Sequence, residues 1–280
     1  MRGFRADADA AVHADAAVHA DAGAAGMPSR PDPLLPVVSE NVQRPDRPDH
    51  ENPWEMQLVV HRVKADPAHH EDVVEAAAQA VVQLLDDERS RTGEWAGQVE
   101  HWRAGWIRKV VRRADGARWD AVQSLPGVTV THGTAQVRAF VPGPLQPLPK
   151  DLAKLQVGGT EFPRGDREDA SASAAPAVAA PTAPTAPAAF VDIEITPLEE
   201  ISTGKTAAQA GHAAQLLYEQ MGERERATWR ADGFRVQLLP SDEAAWEDPG
   251  DAVRVIDAGL TEVDGPTETA RAHRHRALGE

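Results

Sequence analysis

The stretch Ser202-Thr-Gly-Lys-Thr-Ala-Ala-Gln-Ala-Gly-His-Ala-Ala214 decides how this chain reads. Lys205, Gln209 and His212 stand at i, i+4 and i+7, a spacing that puts all three on one face of a helix. Thr203-Gly204 can open that helix, and KTAAQAGHAAQLLYEQM continues it with apolar residues at helical spacing. The small residues between the polar ones allow close packing on a sheet. Lys205 falls in the first turn, where dipole and ammonium together make an anion site. A polar stripe on an alanine-rich helix is costly unless it faces solvent or a cleft. The Gly-Lys-Thr triplet is not a nucleotide phosphate loop, because that motif needs glycine at 199 and the residue there is Glu199.

Working outward, FVDIEITPL precedes the helix as a strand. FRVQLLP follows as a second strand, SDEAAWED as a short helix, AVRVIDAG as a third strand and TETARAHRH as a weak last one. The region upstream repeats this order: MQLVVHRV as strand, HHEDVVEAAAQAVVQLLDDERS as helix, WIRKVVRRA as strand, GARWDAVQSLPG as short helix, then VTV and AQVRAFVPGP as strands. An Ala/Pro/Thr stretch, SASAAPAVAAPTAPTAPAA, separates the two blocks and reads as an extended linker. The expected organisation is a tail at 1–50 without packed structure, a block at 51–163, a linker at 164–188 and a block at 189–280. In the tail, AVHADAAVHADAG echoes itself and a Pro-rich run follows. His13 and His19 read there as low-complexity drift rather than ligands, and Met27 offers an alternative start.

The two blocks also share residues. Trp102-Arg103-Ala104 matches Trp229-Arg230-Ala231, and the same spacing brings Asp115 to Asp242 and Trp119 to Trp246. AVVQLL (80–85) matches HAAQLL (212–217) at a spacing five residues longer. Tryptophan is rare, so two pairs in one register point to an internal duplication. On these spacings Lys205 falls opposite Val73, Gln209 opposite Ala77, His212 opposite Ala80 and Asp257 opposite Val130. The first copy is therefore expected to lack acid–base residues.

Composition narrows the function. Cysteine is absent, which excludes disulfides, thiolate metal sites and a cysteine nucleophile. No apolar run approaches the ~20 residues of a membrane span, and the N-terminus lacks the apolar core of a secretory signal, so a cytoplasmic protein without membrane contact is expected. Arginine greatly outnumbers lysine, a usage that fits a high-GC bacterium. The formal net charge of −15 opposes nucleic-acid binding. Its distribution is uneven, however: 9 basic against 18 acidic residues over 189–280, but 13 against 15 over 51–163.

The motif pair Gly204-Lys205-x-x-x-Gln209-x-x-His212-Ala-Ala and Asp257-Ala-Gly259-Leu260-Thr261, in this order after a strand, resembles the archaeal/eukaryotic-type (type II) peptidyl-tRNA hydrolases. The resemblance covers essentially the whole second block. It implies an α/β fold of three layers, α/β/α, with a mixed four-stranded sheet, here in two tandem copies that form an intramolecular pseudo-dimer. It implies hydrolysis of the ester of peptidyl-tRNA, in translation and ribosome recycling, with no metal and no organic cofactor. The family's catalytic residues carry over onto Lys205, Gln209, Asp257 and Thr261. Gly204, His212 and Gly259 stand beside them as substrate-binding residues, His212 more as a packing residue than a base. Leu260 stands where members carry arginine, and a catalytically silent relative that binds RNA or a protein partner is the alternative reading.

In the first block Arg108, Lys109, Arg112 and Arg113 are interleaved with Trp102, Trp106 and Trp119, a pattern that suits RNA phosphates and bases. It reads more readily as core tryptophans beside a solvated strand face. A metal enzyme built on the scattered histidines finds no spaced ligand cluster in the sequence.

Overall fold

The computed structural model describes residues 38–40, 52–105, 107–165, 190–198, 200–241, 243–258 and 262–275. Almost all of the tail, most of the Ala/Pro linker, Trp106, Glu199, Asp242 and the Gly259-Leu260-Thr261 triplet lie outside the described residues.

The first half begins with β2 (Trp54–His61), after a short β1 (Val38–Glu40) that belongs to the other sheet. It continues through α1 (His70–Asp86), α2 (Glu88–Arg91), α3 (Ala96–Ala104), β3 (Arg108–Ala114), α4 (Ala117–Val122), β4 (Gly127–His132), β5 (Ala135–Phe140), β6 (Gly143–Pro144) and α5 (Lys150–Ala153). The second half runs β7 (Val191–Ile195), α6 (Thr203–Gln220), α7 (Glu223–Ala231), β8 (Val236–Leu239), α8 (Glu243–Glu247), β9 (Val253–Asp257) and β10 (Thr267–Arg274).

The sheets repeat one topology. In the first the order is β3-β2-β5-β4, with β2 parallel to β3 and antiparallel to β5. In the second it is β8-β7-β10-β9, with the same senses at each pairing. A parallel pair needs a crossover, and α1 to α3 or α6 to α7 supply it. The fold is thus α/β with two mixed sheets in tandem. The tryptophan register holds in detail: Trp102 Nε1 donates to Arg108 O at 3.2 Å, and Trp229 Nε1 donates to Arg235 O at 2.9 Å. Both indoles are fully buried.

Amphipathic patterning explains the layers. Met56, Leu58 and Val60 point to one face of β2 and Val59 to the other, as strand alternation requires. The first face meets α1, and the second meets Trp119, Val122, Leu152 and Leu155. α1 and α6 pack on each other, and one continuous core takes in both helices and both sheets. Residues 36–280 accordingly cluster as one unit. The helices cross where Gly211 meets Val81; a Cβ on Gly211 would lie 2.9 Å from Val81 Cγ2.

Three expectations are revised. Val38–Glu40, placed by the sequence in a tail without packed structure, pairs parallel with β9 and covers what would be an open sheet edge. TETARAHRH, read as weak, is a strand hydrogen-bonded on both sides, by β9 and β7. Its alternation is obscured because Arg271 is buried, held by Glu268 Oε1 at 2.6 Å and Trp246 O at 2.6 Å.

The third revision concerns which residues are equivalent. Leu58 pairs Val111 as Ile193 pairs Leu238, which makes Val60 and Ile195 equivalent two residues on. Val60 pairs Val137, which pairs Val130; Ile195 pairs Ala270, which pairs Val255. Val130 therefore corresponds to Val255, and Asp257 corresponds to His132. The connection after Trp119 is two residues longer than that after Trp246, so the tryptophan spacing does not survive into the next strand.

Candidate functional site

α6 starts at Ser202, whose hydroxyl accepts from Lys205 N at 3.1 Å, the expected contact of an N-cap serine. Lys205 and Gln209 lie one turn apart, and β9 ends opposite them on Asp257. Lys205 Nζ lies 2.6 Å from Asp257 Oδ2, and Gln209 Nε2 donates to the same oxygen at 2.7 Å. Three of the four catalytic positions named from the sequence thus come together, Lys205 and Gln209 on the carboxylate of Asp257. The fourth, Thr261, and Gly259 lie outside the described residues.

These side chains form one wall of a cleft of about 380 Å³. Glu55, Arg108, Lys109, Leu145 and Val157 line it from the first half; Ser202, Gly204, Lys205, Gln209, His212, Asp257 and Glu262 line it from the second. The cleft is therefore built by both halves.

The helix start does not stand open as an anion site. Glu262 occupies it, accepting from Ser202 N at 2.8 Å and Ser202 Oγ at 2.7 Å. Gly204 lines the cleft with its backbone N–H already engaged. Its N–H donates to Thr160 O at 3.0 Å, and a Cβ there would stand 3.1 Å from Thr160 Cβ, so glycine permits the close approach of the 160–162 segment.

His212 is buried on the cleft floor, and its pKa is held well below the ordinary value by burial and by the Lys109 ammonium. It is neutral near pH 7 and cannot act as a proton donor of the imidazolium type. Lys109 crosses from β3 to the second half. It donates to Gln215 Oε1 at 2.5 Å and lies over the Trp102 ring at 5.0 Å. Burial pushes its pKa down to about 7, with Glu219 opposing and Arg103 assisting.

The basic run does not form one face. Arg108 and Lys109 reach the cleft, whereas Arg112 and Arg113 tie down the segment after α5. Arg112 Nη1 donates to Leu155 O at 3.0 Å, and Arg113 Nη2 donates to Gln156 Oε1 at 2.7 Å. Strand alternation puts Arg108 and Arg112 on one face of β3 and Lys109 and Arg113 on the other, so the division follows position along the strand and the nearby acceptors rather than the face.

Two cleft residues escaped the sequence reading. Burial raises the carboxyl pKa of Glu55, against the lowering influence of Arg112. The alternation of polar and apolar residues through Glu55, Met56, Gln57 and Leu58 carried that signal, since Glu55 and Gln57 share the face of β2 opposite Met56 and Leu58. Glu262 follows the Asp-Ala-Gly motif and had no signal of its own.

The corrected register also exposes a counterpart site. Glu75 and Gln79, one turn apart on α1, converge on His132 at the end of β4. Glu75 Oε2 lies 2.6 Å from His132 Nε2, and Gln79 Nε2 lies 2.9 Å from His132 Nδ1. Glu75, Gln79 and His132 thus stand where the other half has Lys205, Gln209 and Asp257. The crossing pair Val81 and Gly211 falls in the same helix register. The sequence matches of Lys205 to Val73, Gln209 to Ala77 and His212 to Ala80 are displaced by two residues, because the Gln-Leu-Leu similarity follows composition rather than position.

Comparison with protein-family models, with curated proteins and with solved structures returned no match to this chain. Among the described residues no helix is long and apolar enough to cross a membrane.

Proposed function

We propose that the second half, with a cation lent by the first, hydrolyses the ester of peptidyl-tRNA. The observation that carries this reading is the convergence of Lys205 and Gln209 on Asp257 at a cleft wall. Ester hydrolysis needs a positioned water and a stabilised oxyanion. Asp257 takes a proton from water as the hydroxide attacks the ester carbonyl. Lys205 meets the charge that develops on the carbonyl oxygen, and Gln209 holds the carboxylate in place. The tetrahedral intermediate then collapses, and the ribose oxygen leaves with the proton that Asp257 took from the water. Arg108 supplies positive charge at the cleft that the acidic second half lacks, and a cytoplasmic setting accords with such a substrate.

A second reading, a silent relative that binds RNA or a protein partner, is favoured by one feature: Lys205 with Asp257, and Ser202 with Glu262, already satisfy each other. The deciding experiment is release of peptide from purified peptidyl-tRNA across a salt series. We expect turnover that weakens as salt rises, and its loss in both Asp257→Asn and Lys205→Ala. No turnover by the folded wild type sinks the enzyme reading, and unchanged rates in both variants sink the site.

A further inference from the structure

We propose that Asp72, Glu75 and His132, in the first half, bind a divalent transition-metal ion of the zinc class. The inference does not rest on the hydrolase reading.

One donor atom from each of the three side chains lies within 4.8 Å of the others. Zinc bonds nitrogen and oxygen at about 2.0–2.2 Å, so small side-chain movements bring all three donors onto one ion. Asp72 and Glu75 are three residues apart on α1 and share a helix face. His132 reaches them from the end of β4.

Each of the three is held by a further contact that leaves its geometry suited to a ligand. Asp72 Oδ2 accepts from Thr134 N and Thr134 Oγ1, both at 2.7 Å. Glu75 Oε1 accepts from Leu238 N at 2.8 Å. His132 Nδ1 is engaged by the Gln79 amide, which leaves the ring's Nε2 facing the carboxylates. With a metal on Nε2, Nδ1 carries the proton and donates it to the Gln79 amide oxygen, which a half-turn of the amide presents. Outer partners of this kind orient metal ligands and fix the histidine tautomer. The turn between β4 and β5 closes directly over the site: Gly133 has φ 51°, and a Cβ there would collide with the Asp72 carboxylate.

The duplication gives an independent reason. In the second half a cation, the Lys205 ammonium, sits against Asp257 at this position of the fold. In the first half the lysine position carries Glu75 and the aspartate position carries His132. A divalent ion held between these two would supply the positive charge that the Lys205 ammonium supplies in the second half. Imidazole with two carboxylates suits zinc and its neighbours, whereas magnesium and calcium favour all-oxygen sets. The His132 side chain is 23% exposed and that of Glu75 only 2%, so solvent reaches one side and can complete the coordination. Because Glu75 also bonds the backbone of β8, metal uptake should brace the two halves against each other.

The test is a titration of the metal-stripped full chain with Zn²⁺ by calorimetry and with Co²⁺ by visible absorption, together with thermal melts. We expect one saturable equivalent, ligand-field bands with Co²⁺ and a raised Tm with Zn²⁺. All three should persist in His13→Ala/His19→Ala/His50→Ala, which removes the tail histidines. They should be lost in His132→Gln and Asp72→Asn, and Gln79→Ala should weaken affinity about 10–100-fold. If His132→Gln does not fold, Asp72→Asn alone decides, since its amide oxygen can still accept from Thr134. No saturable uptake by the folded wild type, or uptake unchanged in the ligand variants, overturns the proposal.

Discussion

Lys109 illustrates how a single residue acquires its character from burial. In the sequence it is one cation in a basic run; in the folded chain it reaches between Trp102 and Gln215 in the second half. Its pKa falls from the ordinary lysine value to about 7. The unfolded chain therefore holds a proton that the native state gives up between about pH 7 and the ordinary lysine range. Stability should rise with pH across that window, because the unfolded state binds more protons there. The cost of the buried charge is fully present below pH 7. Urea melts of Lys109→Met should lack this rise; an identical pH dependence in the two proteins would remove Lys109 as its cause. Lys205, Gln209 and His212 were legible from spacing alone, because a helix fixes which residues share a face. The roles of Gly204 and Glu262 were not, since both depend on segments distant in sequence: Thr160 at one, Ser202 at the other.

At the scale of elements, the contact of α1 with α6 sets the register of everything around it. Gly211 lets the two helices approach at Val81. Gly211→Ala should destabilise the protein by about 1–3 kcal/mol through overpacking. Val81→Ala in the same chain should recover part of that loss, a coupling readable as a double-mutant cycle in denaturant melts. Simple addition of the two effects would show that the helices can part without cost. Element order and type were largely readable, since the periodicities of 3.6 and 2 are local. α3 and α7 were missed as helices. Their sequences, AGQVEHWRA and ERERATWRA, carry few large apolar residues, and each is anchored by a fully buried tryptophan.

For the whole molecule, the decisive feature is that the halves share buried polar links as well as a core. Asp86 at the end of α1 accepts from Tyr218 Oη at 2.8 Å and from Arg230 Nε and Nη2, each at 2.6 Å. Asp86→Ala removes the acceptor from both. We expect a loss of about 2–3 kcal/mol, less than the roughly 3–5 kcal/mol of a fully buried pair, because Arg230 keeps 35% of its side chain exposed. Unfolding of the wild type should remain one cooperative transition, and two separated transitions would show that the halves are independent. The sequence by itself determined the α/β order of elements, the polar face of α6 and, through its paired tryptophans, the duplication; each of these is a local pattern or a rare-residue register. Only the tertiary structure decided which residues of the halves are equivalent. That follows from connection lengths and the helix crossing, which no local pattern encodes. It turned the first half from a copy without acid–base residues into one that sets Glu75, Gln79 and His132 where the second sets Lys205, Gln209 and Asp257.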